Sequence, residues 1–405
     1  CGRERDGVRP VDRGAVHERE PDRLAAEQRG HRNLDDRARQ RDLAHREEIA
    51  AASLVAGPGC NSTAALRGTG VTFARYEALE SSVMEARGEE ITLRIEGEGR
   101  GVDTTFDSIA PESACTSMQL HLQVPPEQFA AAWNAAQAIA GPQVALAANS
   151  PFLLGKRLWH ETRIPTFVQA LDTRPPEYAA QGVRPRVWFG ERWITSMFDL
   201  FEENVRLFPA LIPESRQMAE EPLLTDGHSP RLHELMLHNG TVWRWNRPIY
   251  DPGTDLPHLR LENRLLPSGP TPADMAANAA FFYGLMHSLV HERRPLWSRM
   301  SFEQADESFQ QCARWGLEAR VLWPRLGRVR VADLLRDHLI QRLVTQVDNL
   351  DKPSVPPTAL AARPLVCSIS RIAEAASRAR RWTERGTQSP RRISSIIAPR
   401  MRIEA

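Results

Sequence analysis

Large aromatic side chains most limit where this chain can build a core, because they bury more apolar area than other residues. The sequence holds 10 Trp, 4 Tyr and 13 Phe, with none before Phe73 and only Trp382 after Asn349. Residues 1–72 therefore cannot contribute the large side chains that dominate cores. There, arginine and acid alternate without helical or strand period, as in Arg3-Glu4-Arg5-Asp6, and Gly57-Pro58-Gly59 interrupts any regular element. This arm is expected to be mostly disordered. The stretch 349–405 opens with Lys352-Pro353-Ser354-Val355-Pro356-Pro357 and turns basic at Arg391-Arg392 and Arg400-Met401-Arg402. It reads as a loose, solvated tail, and the folded domain is placed at residues 73–348.

With 405 residues, 41% hydrophobic and 25% charged, the chain has material for one large core or two ordinary ones. A formal net charge of +1 gives no basic field, which argues against nucleic acid or a membrane surface as partner. Cys1, Cys60, Cys115, Cys312 and Cys367 show no C-x-x-C spacing, so neither a disulfide framework nor a structural zinc site is indicated. The most apolar run, Ala277 to Val290, is shorter than the roughly 18–20 residues of a membrane span. A cytoplasmic protein is the expectation, with homo-oligomerisation left open.

Helix signals recur between the two ends. Pro126 opens a segment with Phe129 and Trp133 on one face, which Gly141-Pro142 should stop. Trp193, Met197, Phe201 and Val205 form an amphipathic run with Glu202 and Glu203 on its other side, and Thr271-Pro272 starts a third helix. Ser301 and Gln304 have capping-box spacing.

Four segments alternate with the strand period of two. Ile91, Leu93 and Ile95 oppose Thr92, Arg94 and Glu96; Met118, Leu120 and Leu122 oppose Gln119 and His121. Arg260, Glu262 and Arg264 share one side of a third strand, and Trp243, Trp245 and Arg247 one side of a fourth. Stacked in one sheet, these would gather Glu96, Gln119, His121, Arg247, Glu262 and Arg264, a mixture suited to phosphoryl chemistry because carboxylates hold magnesium and guanidinium forks hold phosphate. A half-exposed antiparallel sheet shows the same alternation with solvated groups and cross-strand pairs, and on spacing alone that plainer reading is the stronger. Phosphate-binding glycine loops, G-x-S-x-G and H-E-x-x-H are absent from the sequence.

Several ordered motifs resemble the second glutamate–cysteine ligase family, the carboxylate–amine ligases common in actinobacteria. They are Ala114-Cys115-Thr116-Ser117-Met118-Gln119-Leu120-His121-Leu122-Gln123-Val124, Ala148-Asn149-Ser150-Pro151-Phe152 with Arg163 following, and Val183-Arg184-Pro185-Arg186-Val187-Trp188-Phe189-Gly190. His238-Asn239-Gly240-Thr241, Arg244-Trp245-Asn246-Arg247-Pro248 and Leu261-Glu262-Asn263-Arg264-Leu265-Leu266-Pro267 complete the set, over about Arg75 to Arg336.

The resemblance implies an α+β fold, a glutamine-synthetase-like curved antiparallel sheet with packing helices and disordered termini. It implies ATP-dependent joining of the glutamate γ-carboxylate to the cysteine amine, or to another small amine, through an acyl phosphate, with Mg2+. By resemblance, Glu96, His121 and Glu262 are candidate metal ligands, and Arg247, Arg264 and Glu262 candidate catalytic groups. Arg163, Asn149, Trp245 and Gln119 become candidates for substrate binding. The family's opening strand of closely spaced glutamates has no counterpart in residues 1–72. A fragment or frame-disrupted member is therefore expected, with weak or absent ligase activity, and the alternative is a non-catalytic glutamate- or nucleotide-binding module.

Overall fold

A computed structural model describes residues 74–97, 99–212, 230, 232–252 and 257–343. The arm 1–72 and the tail 349–405, both expected to be disordered, lie outside the described residues. The chain runs through α1 (Ala74–Arg87), β1 (Ile91–Ile95), β2 (Val102–Phe106), α2 (Ala110–Ser113), β3 (Ser117–Gln123), α3 (Pro126–Ala138) and α4 (Ala140–Ala147). A short hairpin, β4 (Phe152–Leu153) and β5 (Lys156–Arg157), leads to α5 (Arg163–Ala170), α6 (Pro176–Ala180), β6 (Val187–Trp188), α7 (Phe198–Leu207) and α8 (His233–Gly240). Then follow β7 (Trp243–Arg244), β8 (Asn246–Asp251), β9 (His258–Pro267), α9 (Pro272–Leu289), α10 (Phe302–Trp315), β10 (Arg320–Trp323), β11 (Gly327–Arg330) and α11 (Val331–Leu334).

The architecture is α+β, with open and mostly antiparallel sheets. The sheet that matters has the order β3-β9-β8, all antiparallel. The four alternating segments do not stack in one sheet as expected. Among the described residues β1 pairs only with β2. Its other edge is closed at Arg94, whose backbone N–H donates to Gln169 Oε1 at 2.7 Å and whose carbonyl accepts from Gln169 Nε2 at 3.1 Å. A side-chain amide from α5 thus takes the place of a neighbouring strand. The fourth segment is also divided: Trp243 joins Val187 in the parallel pair β6-β7, while Arg247 belongs to β8. Its alternation fails because Trp243, Arg244, Trp245 and Asn246 are all buried.

Two helix expectations hold in detail. Thr271 caps α9, its hydroxyl accepting from the Asp274 N–H, and Ser301 with Gln304 forms the full capping box of α10. Gly141-Pro142 does not end a helical region as expected. The chain bends at Ile139, and Gly141 and Pro142 fall in the first turn of α4, where proline's missing N–H is tolerated. Gly141 lies so near α10 that a Cβ there would sit 2.3 Å from Ser308 Oγ and 2.8 Å from the Ser308 carbonyl oxygen. The expected outward face of α7 is corrected too: Glu203 is 1% exposed, because Arg244, fully buried, needs its carboxylate at 2.9 Å.

Beneath the β3-β9-β8 sheet runs a chain of buried amides. Gln143 Nε2 donates to Asn263 Oδ1 at 3.0 Å, Asn263 Nδ2 to Asn246 Oδ1 at 2.8 Å, and Asn246 Nδ2 to Gln137 Oε1 at 2.7 Å. Gln137 Nε2 then donates to the Phe189 carbonyl at 2.6 Å. This chain pins β8 and β9 to α3 and α4, and a slip of one residue would turn every side chain to the wrong face. Asn263→Ala leaves Gln143 and Asn246 without their shared partner and is expected to cost about 2–5 kcal/mol, measured as a lower denaturant midpoint by tryptophan fluorescence. An unchanged midpoint would show that the amides do not fix the register.

Candidate active site

The register fixed below sets the row above. His121 on β3 stands opposite Glu262 on β9, and Glu262 stands opposite Arg247 on β8. Arg247 Nε donates to Glu262 Oε2 at 2.6 Å, Arg264 Nη1 lies 3.6 Å from the same oxygen, and His121 Nε2 lies 3.9 Å from Oε1. Between the pairs Met118–Leu266 and Leu120–Asn263 the register shifts, so Gln119 faces the Arg264-Leu265 step of β9 across a bulge. Gln119 is exposed on the same side as His121.

The electrostatics favour an anion. Burial works to raise the Glu262 carboxyl, but the charges of Arg247 and Arg264, the Arg247 hydrogen bond and nearby His121 outweigh it and hold the group below the ordinary carboxylate range. Burial lowers the His121 imidazole. Glu262 pulls it up, while Arg260, Arg247 and Arg264 push it down, leaving the ring neutral at pH 7. Arg264 is pushed down to about 10, first by burial and then by the like charge of Arg247. Two guanidiniums thus share one nearby carboxylate in a half-open row, with a second, Glu112 on α2, opposing only part of the charge on Arg264.

Arg163, Asn149 and Trp245 lie along β9 from Arg264 to its C-terminal end, where the Arg264 N–H donates to the Trp245 carbonyl at 2.8 Å, and are already engaged. Arg163 Nη2 donates to the Leu265 carbonyl, its Nε lies 3.4 Å from Glu161 Oε2, and the side chain is 5% exposed. Glu161 also accepts from the Asn149 N–H at 2.8 Å and Ser150 Oγ at 2.9 Å, while Asn149 Nδ2 donates to the Ser268 carbonyl at 2.9 Å. Trp245 is buried between Phe167 and Phe309, with ring centroids 5.7 and 5.4 Å away, and the Arg163 guanidinium lies over it at 5.8 Å. These three residues hold the end of the strand that carries Glu262 and Arg264.

The expected metal set is not brought together. Glu96 follows β1 in the separate sheet and pairs with Arg314 at 2.7 Å, on a side chain 77% exposed. Among the described residues no group of three or more His, Cys, Asp or Glu side chains is placed to hold a metal ion. Glu262 beside two guanidiniums and a neutral imidazole is a poor donor set for magnesium, which prefers several hard oxygens. The described residues therefore do not fit that ion by themselves. They fit phosphate or carboxylate oxygens. Cys115 and Cys312 are free thiols raised by burial, Cys312 to about 12, so neither is an activated nucleophile.

Over residues 9–352 the chain matches the profile of glutamate–cysteine ligase family 2. It belongs to that family. The match runs ahead of Phe73 into the arm, where the opening glutamate strand of the family was sought, a region outside the described residues. No curated protein matches the chain. Family membership carries ATP-dependent carboxylate–amine ligase chemistry, and none of the described helices is long and apolar enough to cross a membrane. Within the family 2 chain, sequence reading missed Gln137, Gln143, Asn246, Asn263, Glu112, Glu161 and the buried pair Glu203 and Arg244. The available signal was polar residues at core-facing phases, as Asn263 is between Glu262 and Arg264.

Proposed function

We propose that this chain is an ATP-dependent ligase of the cytoplasm that joins the γ-carboxylate of glutamate to the amine of cysteine or another small amine. The observation that carries this reading is the excess of guanidinium over carboxylate in the row of His121, Glu262, Arg247 and Arg264. A guanidinium fork grips carboxylate or phosphate through two parallel hydrogen bonds. Arg264 would hold the reacting anion, and Glu262 would keep both guanidiniums in position. ATP, when bound, supplies the phosphoryl group that makes a carboxylate electrophilic. A γ-carboxylate oxygen attacks phosphorus and ADP leaves; the amine nitrogen then attacks the acyl carbon, and phosphate leaves with that oxygen. His121, neutral at pH 7, would take the amine proton.

Phosphoryl transfer leans on metal to offset charge, and the described residues bring no such set together. Turnover below about 1 per second is therefore expected. That same observation favours one second reading, a glutamate- or nucleotide-binding module without turnover. The test is to follow ADP and γ-glutamyl product with residues 1–405, glutamate, cysteine and magnesium-ATP from pH 5 to 8. ADP release should require both glutamate and amine. The rate should fall on the acid side below pH 6.5, where the lowered His121 protonates, and His121→Gln should flatten that limb. Stabilisation by glutamate or ATP without any ADP would instead select the binding module.

A further inference from the structure

A cavity of about 130 Å³ opens beside the row, between α7, α8 and β8. Its walls are apolar: Phe201 from α7, Leu235 and Met236 from α8, and Ile249 and Tyr250 from β8. Arg247 lines it too, the same side chain whose Nε pairs with Glu262. Arg247 Nη1 reaches the Gly240 carbonyl at 3.4 Å, and its Nη2 makes no hydrogen bond among the described residues. One charged donor thus stands next to a greasy wall.

Building on the ligase reading, we propose that this cavity seats the amine acceptor, and that the acceptor is an α-amino acid with an apolar side chain larger than that of cysteine, its carboxylate paired with Arg247. An amino acid carries carboxylate and side chain on one carbon, so its anion and its apolar group are neighbours, as Arg247 and the cavity wall are. In a nucleotide a ribose separates the base from the phosphates. A base edge also needs polar partners, and the amide lining this cavity, Asn239, is engaged at both ends. Its Nδ2 donates to the Pro248 carbonyl at 2.8 Å and its Oδ1 accepts from Asn204 at 3.0 Å. The volume is close to the roughly 150 Å³ of an apolar cavity that admits benzene, which suits a leucine or phenylalanine side chain and leaves a thiol-sized group loosely packed.

The test is isothermal titration of the full chain with L-leucine, L-phenylalanine, L-alanine, L-cysteine and leucinamide. Leucine and phenylalanine should bind at least about tenfold tighter than alanine and cysteine, since each buried methylene adds several-fold, and leucinamide should lose at least about tenfold for want of the carboxylate. Met236→Trp fills the cavity and should remove leucine binding. Should that variant fail to fold, Leu235→Ala enlarges the cavity and should shift preference from leucine toward phenylalanine. Equal affinity for leucine and alanine, or no binding of either, overturns the proposal. ADP release that is indifferent to acceptor size overturns it while leaving the ligase reading intact; size-dependent binding with no ADP from any amine defeats the acceptor role through the ligase reading, with the amino-acid site itself upheld.

Discussion

Replacing Arg264 with methionine lowers glutamate-dependent ADP release by about 10²–10³-fold and leaves the ligand-free protein at least as stable as the parent. The two halves of this result have one cause. Burial and the charge of Arg247 push Arg264 down to about 10, so the folded state disfavours its protonated form. A base lowered in this way costs stability at every pH below about 10, and the cost disappears only as pH rises toward its ordinary 12.5. Methionine removes that cost and supplies an apolar side chain of similar reach beside Phe167, over whose ring the Arg264 guanidinium carbon lies at 5.9 Å from the centroid. Glu262 is not left alone, because Arg247 still holds it at 2.6 Å, and Glu112, whose carboxyl burial already raises, takes up a proton once the Arg264 charge is gone instead of remaining as a buried anion. Stability therefore rises by about 1–2 kcal/mol, seen as a melting temperature about 2–6 °C higher. A bound anion relieves the same cost in the parent, so added glutamate or ATP should raise the parent's melting temperature and not the variant's. Retained activity in Arg264→Met would remove Arg264 from the reaction.

Glu262→Gln has the opposite effect on stability and the same effect on activity. The amide keeps the shape and an acceptor for Arg247 Nε but deletes the charge between two guanidiniums. Arg247 and Arg264 then repel without a shared partner, costing about 1–3 kcal/mol, and ADP release falls by about 10²-fold or more. The pH dependence identifies the group. The folded Glu262 value lies below the ordinary 4.5, so its contribution is fully present above pH 4.5 and is lost as pH falls through the folded value. The stability gap between parent and variant should be constant from pH 7 to 8, widen below pH 6.5 because His121 loses the charge that pulls it up, and shrink below pH 4.5. A gap that persists undiminished at pH 3 would mean that the Glu262 charge is not what holds the row.

The row was legible in the sequence because it depends on strand phase alone. His121 alternates with Leu120 and Leu122, Glu262 shares its phase with Arg260 and Arg264, and a period of two keeps such groups on one side wherever a strand is half covered. Glu96 shows where phase stops being informative. It sits in phase with Arg94 and Thr92, yet phase says nothing of which strands pair, and the Gln169 amide closes the β1 edge from 75 residues away in sequence. Arg247 was placed correctly for a reason that failed, since the uniform strand proposed for Thr241 to Arg247 is broken into β7 and β8. The buried amide chain was invisible because Gln137, Gln143, Asn246 and Asn263 come from four elements, and only the folded chain shows that each satisfies another. Glu203 read as solvated for the same reason: its partner, Arg244, lies 41 residues on.

The most direct measurement follows an oxygen atom. Glutamate labelled with 18O in its γ-carboxylate is incubated with residues 1–405, magnesium-ATP and an amine, and the released phosphate is analysed by mass. If the carboxylate is phosphorylated and then attacked by the amine, each γ-glutamyl product leaves one labelled oxygen in phosphate, and Arg264→Met suppresses label and product together. Phosphate that forms without label, or label transfer that survives in Arg264→Met, would contradict a ligase built on the Arg247, Glu262 and Arg264 row.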